Sequence, residues 1–176
     1  MGNALQVIGD FEEAIDSYKQ VIKINPEFAE AYNNMGNALQ VTGDFEEAID
    51  SYKQAIKINP EFAEAYNNLG SALRGKLELN ESIDNYKKAI KLKPYYVDAY
   101  GNMGDAFHAS ERYEEALENC QQAIKIDPNY TQAYYTMGNA LMDIGELEKS
   151  IDSYKKAIKL KPDYAEAYNN LGIALQ

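Results

Sequence analysis

Few side chains in this sequence could do chemistry: one histidine, His108, one cysteine, Cys120, and a set of asparagines that recur in pairs. Asp105 precedes His108 by three residues, one helical turn. That spacing is common for a contact on a helix surface, and no nucleophile is assignable beside the two. Cys120 occupies a place that other parts of the chain give to a tyrosine. A small buried side chain is expected there rather than a reactive thiol. No zinc-ligand spacing, phosphate loop or glycine-rich nucleotide fingerprint occurs, so the chain is expected to be no enzyme and to hold no cofactor and no metal.

The asparagines are the more informative set. Asn33 and Asn34, Asn67 and Asn68, and Asn169 and Asn170 are pairs, Asn102 stands in the second place of a further pair, and Thr136 breaks the series. Asn37 and Asn139 lie one turn on and extend the polar strip. Asparagine is a poor helix former, by several tenths of a kcal/mol relative to alanine, so propensity does not select it in a helix interior. Its amide carries two donors and an acceptor, and a row of such amides can hydrogen-bond the main chain of an extended peptide whatever its sequence. The other reading is that duplication copied asparagine with everything else, with the amides bonding between adjacent units.

The elements that position these residues follow from a fixed period. The five prolines, Pro26, Pro60, Pro94, Pro128 and Pro162, are each 34 residues apart. A step of that size marks repeats that cannot bury their apolar faces alone and must stack on neighbours. Residues 29–62 are the clearest copy. Tyr32, Met35, Ala38 and Leu39 fall on one helical stripe, and Phe45, Ala48, Ile49, Tyr52, Ala55 and Ile56 on another. Gly36 inside the first stripe costs about 1 kcal/mol relative to alanine and needs a packing reason, for which Ala48 is the expected small partner. Gly43 ends the first helix, Asp44 is placed to cap the second with Glu47 completing a capping-box-like pair, and Asn59 before Pro60 stops it.

Tyr32, Met35, Gly36, Leu39, Gly43, Asp44, Phe45, Ala48, Tyr52, Ala55 and Pro60 together resemble the tetratricopeptide repeat, and the resemblance recurs along essentially the whole chain. It implies an all-α fold, a right-handed α-solenoid of antiparallel helix pairs, in which the first helix of each unit lines a concave groove that binds peptides. The row Asn34, Asn68, Asn102 and Asn170 further resembles the asparagine ladder in the repeat domain of O-linked N-acetylglucosamine transferases.

A single array over 1–176 is expected, with a truncated repeat at 1–28, full repeats at 29–62, 63–96, 97–130 and 131–164, and an unpaired first helix at 165–176. In 63–96 the turn glycine is replaced by Leu77, with Gly75 two places earlier, so the connection at 74–80 is expected to be the most irregular. Repeat 97–130 is the most diverged, with Phe107 in the Leu39 place and Glu111 in the turn-glycine place. Both ends read as cut within a unit, which makes the chain a fragment of a larger protein by expectation. The apolar residues Tyr168, Leu171, Ala174 and Leu175 would then lie open, and segment 1–6 would be a weak first turn. Weak head-to-tail self-association follows as an expectation.

The net charge of −11, from 28 acids and 17 bases, argues against a nucleic-acid partner and against the pentatricopeptide repeat, an RNA reader of similar period. The lysines recur late in the second helices, a solvated face that suits the helix dipole. The expected groove carries Glu30, Glu64, Asp98, Asp105, Asp143 and Glu166 against Arg74 and His108, so a neutral to basic extended peptide fits it. The family's two-carboxylate clamp fails residue by residue, since its basic places hold Glu30, Asn33, Glu64, Asn67, Asp98, Asn102 and Gln132. No run approaches the roughly 20 apolar residues of a membrane span, so no membrane partner is expected. The lone cysteine fits a reducing, cytoplasmic setting. The function expected is a protein-interaction scaffold that binds an extended partner segment. The alternatives are a repeat module whose end-to-end stacking is itself the function, and a substrate-recruiting arm of a larger enzyme such as a glycosyltransferase.

Overall fold

The computed structural model describes residues 10–176. The weak first turn expected at 1–6 lies outside the described residues. Among the described residues the chain is all-helical, with ten α-helices: α1 (Phe11–Ile24), α2 (Ala29–Thr42), α3 (Phe45–Ile58), α4 (Ala63–Gly75), α5 (Leu79–Leu92), α6 (Val97–Ala109), α7 (Tyr113–Ile126), α8 (Thr131–Asp143), α9 (Leu147–Leu160) and α10 (Ala165–Ala174). They fall into two compact units, one ending at Lys93 and one starting at Pro94.

In the first unit, α1 to α5, each helix packs on the next, and the two first helices α2 and α4 also touch. The core is the pair of stripes read from the sequence. Ala38, Leu39, Ala48, Ile49 and Tyr52 join Ile15, Leu69, Ala72 and Leu73 in one buried cluster, with Phe11, Met35, Phe45 and Ile56 packed against it. The second unit, α6 to α10, repeats the scheme, with contacts between α6 and α8 and between α8 and α10 added to the sequential ones. Part of its core is Cys120, Ala123 and Ala133 beneath Tyr100, Tyr130 and Met137.

Gly36 does have a packing partner, but it is Tyr52 and not Ala48. A Cβ at Gly36 would come within 2.6 Å of the Tyr52 ring. The ring is fully buried, so the missing side chain is what lets the tyrosine come this close to the helix. Gly70 with Tyr86 and Gly138 with Tyr154 repeat the arrangement at 2.7 and 2.6 Å, and Cys120 sits over Gly104 in the tyrosine's place. The alanine place does different work where serine fills it. The buried Ser82 donates to the Gly70 carbonyl at 2.7 Å, and Ser150 to the Gly138 carbonyl at 2.8 Å.

The connection at 74–80 is not irregular. Leu77 takes the left-handed conformation at φ 63°, as Gly43 does at 91°, Glu111 at 59° and Gly145 at 80°. The closing bond is likewise retained: Glu78 N–H reaches the Leu73 carbonyl at 3.0 Å, as Asp44 N–H reaches Leu39 at 2.9 Å. Helix packing on both sides fixes the turn, and the non-glycine residues take on its strain. The expected cap at Asp44 is also different. Its carboxylate accepts from the Thr42 hydroxyl at 2.6 Å and makes no side-chain bond to the helix it precedes, whereas Asp10 does accept from Glu13 N–H at 3.2 Å. Asn59 ends α3 in extended geometry, as the following proline requires.

Candidate functional site

The site is built where a first helix meets the first helix of the next repeat. In the first unit, Asn68 of α4 is the bridge. Its Nδ2 donates to Asn33 Oδ1 and to Asn37 Oδ1 of α2, each at 3.0 Å, and its Oδ1 accepts from Asn67 Nδ2 at 3.3 Å. Asn37 Oδ1 also accepts from the Tyr52 hydroxyl at 2.8 Å. Gly36 thus controls the site as well as the core, since the ring it admits ends in the hydroxyl that holds its neighbour Asn37. Asn33 and Asn67 are buried, while Asn34, Asn37 and Asn68 are half-buried. Beside them Asn37, Gln40, Val41, Tyr52, Asn68 and Ser71 line a depression of roughly 250 Å³. Larger depressions occur beside Lys76 and beside Tyr95. The case for this one rests on its hydrogen-bonding groups and not on its size.

The second unit repeats the bridge with changes. Asn170 Nδ2 donates to Asn139 Oδ1 at 3.0 Å and to the Tyr135 hydroxyl at 3.3 Å, and Asn139 accepts from the Tyr154 hydroxyl at 2.8 Å. Thr136, which interrupts the asparagine series in sequence, continues it in space by donating to Asp105, the residue in the Asn37 place. Gln132 adds a longer contact to the same carboxylate at 3.5 Å and accepts from the Tyr164 hydroxyl at 3.1 Å. Sequence reading missed Thr136, Gln132 and Tyr135. The available signal was that the Asn34 and Asn37 places of the repeat both depart from asparagine in adjoining repeats, at Thr136 and Asp105.

The charged residues expected in the groove are partly neutralised within each unit. Glu64 is paired with Lys93 at 3.0 Å. Partial burial pushes its pKa up, but the hydrogen bond and charge of Lys93 outweigh this and hold the carboxyl below its usual range. His108 bonds Asp143, 35 residues on, at 2.8 Å, and not the Asp105 one turn before it. Glu30 and Asp98 are exposed, and Arg74, Asn102 and His108 are half-buried. Cys120 is fully buried, and burial, with Asp105 nearby, pushes its thiol up to about 12. Among the described residues no group of three or more His, Cys, Asp or Glu could hold a metal ion. Nor is any helix among them long and apolar enough to cross a membrane.

The fold is shared with known proteins. A family model described as TPR repeat matches residues 2–43, 74–110, 104–145 and 138–176. Models described as Tetratricopeptide repeat match 29–62 and 51–84. No match was found among curated proteins. Among solved structures, that of MamA is 31% identical, with a TM-score of 0.81 over 94% of this chain and 97% of MamA's. TTC0263, a thermophilic TPR protein of Thermus thermophilus, is 19% identical, with a TM-score of 0.79 over 99% of this chain and 95% of its own. YrrB, described as a TPR protein with an unusual peptide-binding site, is 23% identical, with a TM-score of 0.76 over 96% of this chain and 87% of its own. These last two share the fold alone.

Proposed function

The chain belongs to the tetratricopeptide-repeat family, whose members are generally protein-interaction scaffolds, and from that premise we propose that its first-helix faces bind an extended peptide segment of a partner protein. The observation that carries this reading is the neutral strip of amide and hydroxyl groups around Asn37, Gln40, Asn68 and Ser71, which opens into the depression on the first unit. Such groups suit the main chain of an extended peptide better than a charged ligand. The net charge of −11 favours neutral to basic segments over nucleic acid. The chain itself is a non-catalytic scaffold in this reading. Candidate contacts are Asn33, Asn34, Asn37, Asn67, Asn68, Asn102, Asn139 and Asn170, with Glu30, Glu64, Asp98, Arg74 and His108 tuning charge. The test is a calorimetric titration of a 12-residue peptide selected from a random library on the wild-type chain. Replacing Asn34, Asn68 and Asn102 together by alanine should weaken it at least tenfold, about 1.4 kcal/mol, with helicity retained. Unchanged affinity would remove the asparagines from the site.

A second reading, association between copies, has its own observation. Tyr168 and Ile173 of α10 and Leu175 just after it are exposed, and nothing lies within 4 Å of a Cβ built at Gly172, the place that Tyr52, Tyr86 and Tyr154 cover elsewhere. Light scattering over a concentration series tests it, and a constant monomer mass at millimolar concentration would end it.

A further inference from the structure

The asparagines of the bridges differ in the direction of their hydrogen bonds. An amide ladder can run either way, because turning every amide over exchanges donors for acceptors. One rung cannot be turned. Asp105 is a carboxylate and only accepts, so in the bond between Thr136 and Asp105 the later repeat donates and the earlier one accepts. Asn68 with Asn37 and Asn170 with Asn139 are the same rung two repeats before and one repeat after, at the same separation of 31 residues.

With the same direction taken at the equivalent rungs, the oxygen of Asn37 is fully engaged. It accepts from Asn68 at 3.0 Å and from the Tyr52 hydroxyl at 2.8 Å, the shorter of that hydroxyl's two contacts, Gln40 Oε1 being 3.2 Å away, and these two bonds use both lone pairs. Asn139 is held in the same way by Asn170 and the Tyr154 hydroxyl. An amide fixed by its oxygen turns its NH₂ away from that contact. Both residues are half-buried, and Asn37 lines the first unit's depression. Asn68, by contrast, has both amide hydrogens committed, to Asn33 and Asn37.

We infer that Asn37 and Asn139 are the reading residues of their two units, presenting fixed N–H donors to main-chain carbonyl oxygens of an extended peptide, and that Asn68 and Asn170 are positioning residues that aim them. This rests on the peptide-binding reading above and deepens it, since it assigns the contacted peptide group and moves recognition from the sequence-expected row to the place three residues on. Asp105, in the same place, offers no donor, so the repeat that carries it is silent toward carbonyls. The fixed amides act as preorganised donors, and the affinity they give does not depend on the peptide's side chains.

The test uses the full chain and Asn37→Asp with Asn139→Asp. Aspartate keeps the acceptor that Tyr52 and Asn68 need, as Asp105 does for Thr136, and removes only the outward donors. The probe is a 12-residue peptide selected from a random phage-displayed library on the wild-type chain, titrated at about 0.5 M salt so that the added charges are screened beyond a few ångströms. The double variant should melt within about 2 °C of wild type and bind the peptide at least about tenfold more weakly. A fall in melting temperature of more than about 5 °C would show that Asn37 and Asn139 were donating to their neighbours, which overturns the inference. An unchanged melting temperature with unchanged affinity would overturn it too, while leaving peptide binding itself in place. If the wild-type chain selects no peptide, both readings fall.

Discussion

The ring of Tyr52 lies on Gly36 so closely that a single added methyl carbon would stand 2.6 Å from it. A helix-interior glycine to alanine change usually stabilises, by up to about 1 kcal/mol. Here the ring is fully buried and has nowhere to go. Gly36→Ala should therefore destabilise by about 1–3 kcal/mol through overpacking, and loosen the hydroxyl that holds Asn37. Gly172→Ala, with nothing within 4 Å, should be neutral or stabilising by up to about 1 kcal/mol. Denaturant titrations that give the two variants the same sign would refute the packing account.

The turns give the opposite expectation for glycine. Leu77 and Glu111 hold left-handed backbone at φ 63° and 59°, and Leu77 is 79% exposed, so its side chain contributes little burial. Relief of strain at such a residue is worth about 1–3 kcal/mol, offset in part by the larger unfolded-state entropy of glycine. Leu77→Gly and Glu111→Gly should each raise stability by about 0.5–1 kcal/mol, and Gly43→Ala should lower it. Thermal melts of the three variants check this, and a lower melting temperature for Leu77→Gly would show that the leucine is held there for another reason.

Leu39 is only 4% exposed, within the first unit's core. Leu39→Ala should cost about 2–5 kcal/mol, and its neighbours should share the loss because repeat interfaces couple them. Urea titration followed by circular dichroism measures it, and a loss under about 0.5 kcal/mol would place the residue outside the core.

Alkaline pH should unfold the chain through its buried acids. Cys120 is pushed up to about 12 by burial, and burial raises Tyr52, Tyr130 and Tyr164 as well, the last to about 12. Each keeps its proton in the folded state after the unfolded state has lost it. Their contribution is whole below the unfolded values, about 8.5 for cysteine and 10 for tyrosine, and is lost as pH rises toward 12. Stability should therefore fall from pH 9 upward, with a shallower fall in Cys120→Ala. The thiol should also resist alkylation at pH 8 in the folded chain and react freely in urea, and rapid native labelling would contradict its burial.

The period was legible because proline and glycine act locally, and each announces its turn without help from a partner. What stayed hidden were pairings set by stacking. His108 was matched in sequence with Asp105 because a helical turn is the only proximity a single helix reveals, whereas its bond to Asp143 spans 35 residues. Ala48 was matched with Gly36 on size, but a glycine also makes room for a large ring, and only packing distinguishes a small neighbour from Tyr52. Asp44 carried the signature of a cap, yet Thr42 offered its carboxylate a hydrogen bond at 2.6 Å. The asparagine strip was found from composition, while the direction of its bonds required the geometry around Asp105.

The offsets of the bridge limit how such a chain can change length. Asn68 reaches back 35 and 31 residues, and Asn170 does the same. Inserting or deleting one residue within a helix would shift one end of a bridge against the other by about 100° of helix rotation and turn its partner out of reach. Removing or adding a whole 34-residue block leaves both offsets as they were. Viable length variants of this chain should therefore come in whole repeats, with smaller insertions confined to the connections between helices.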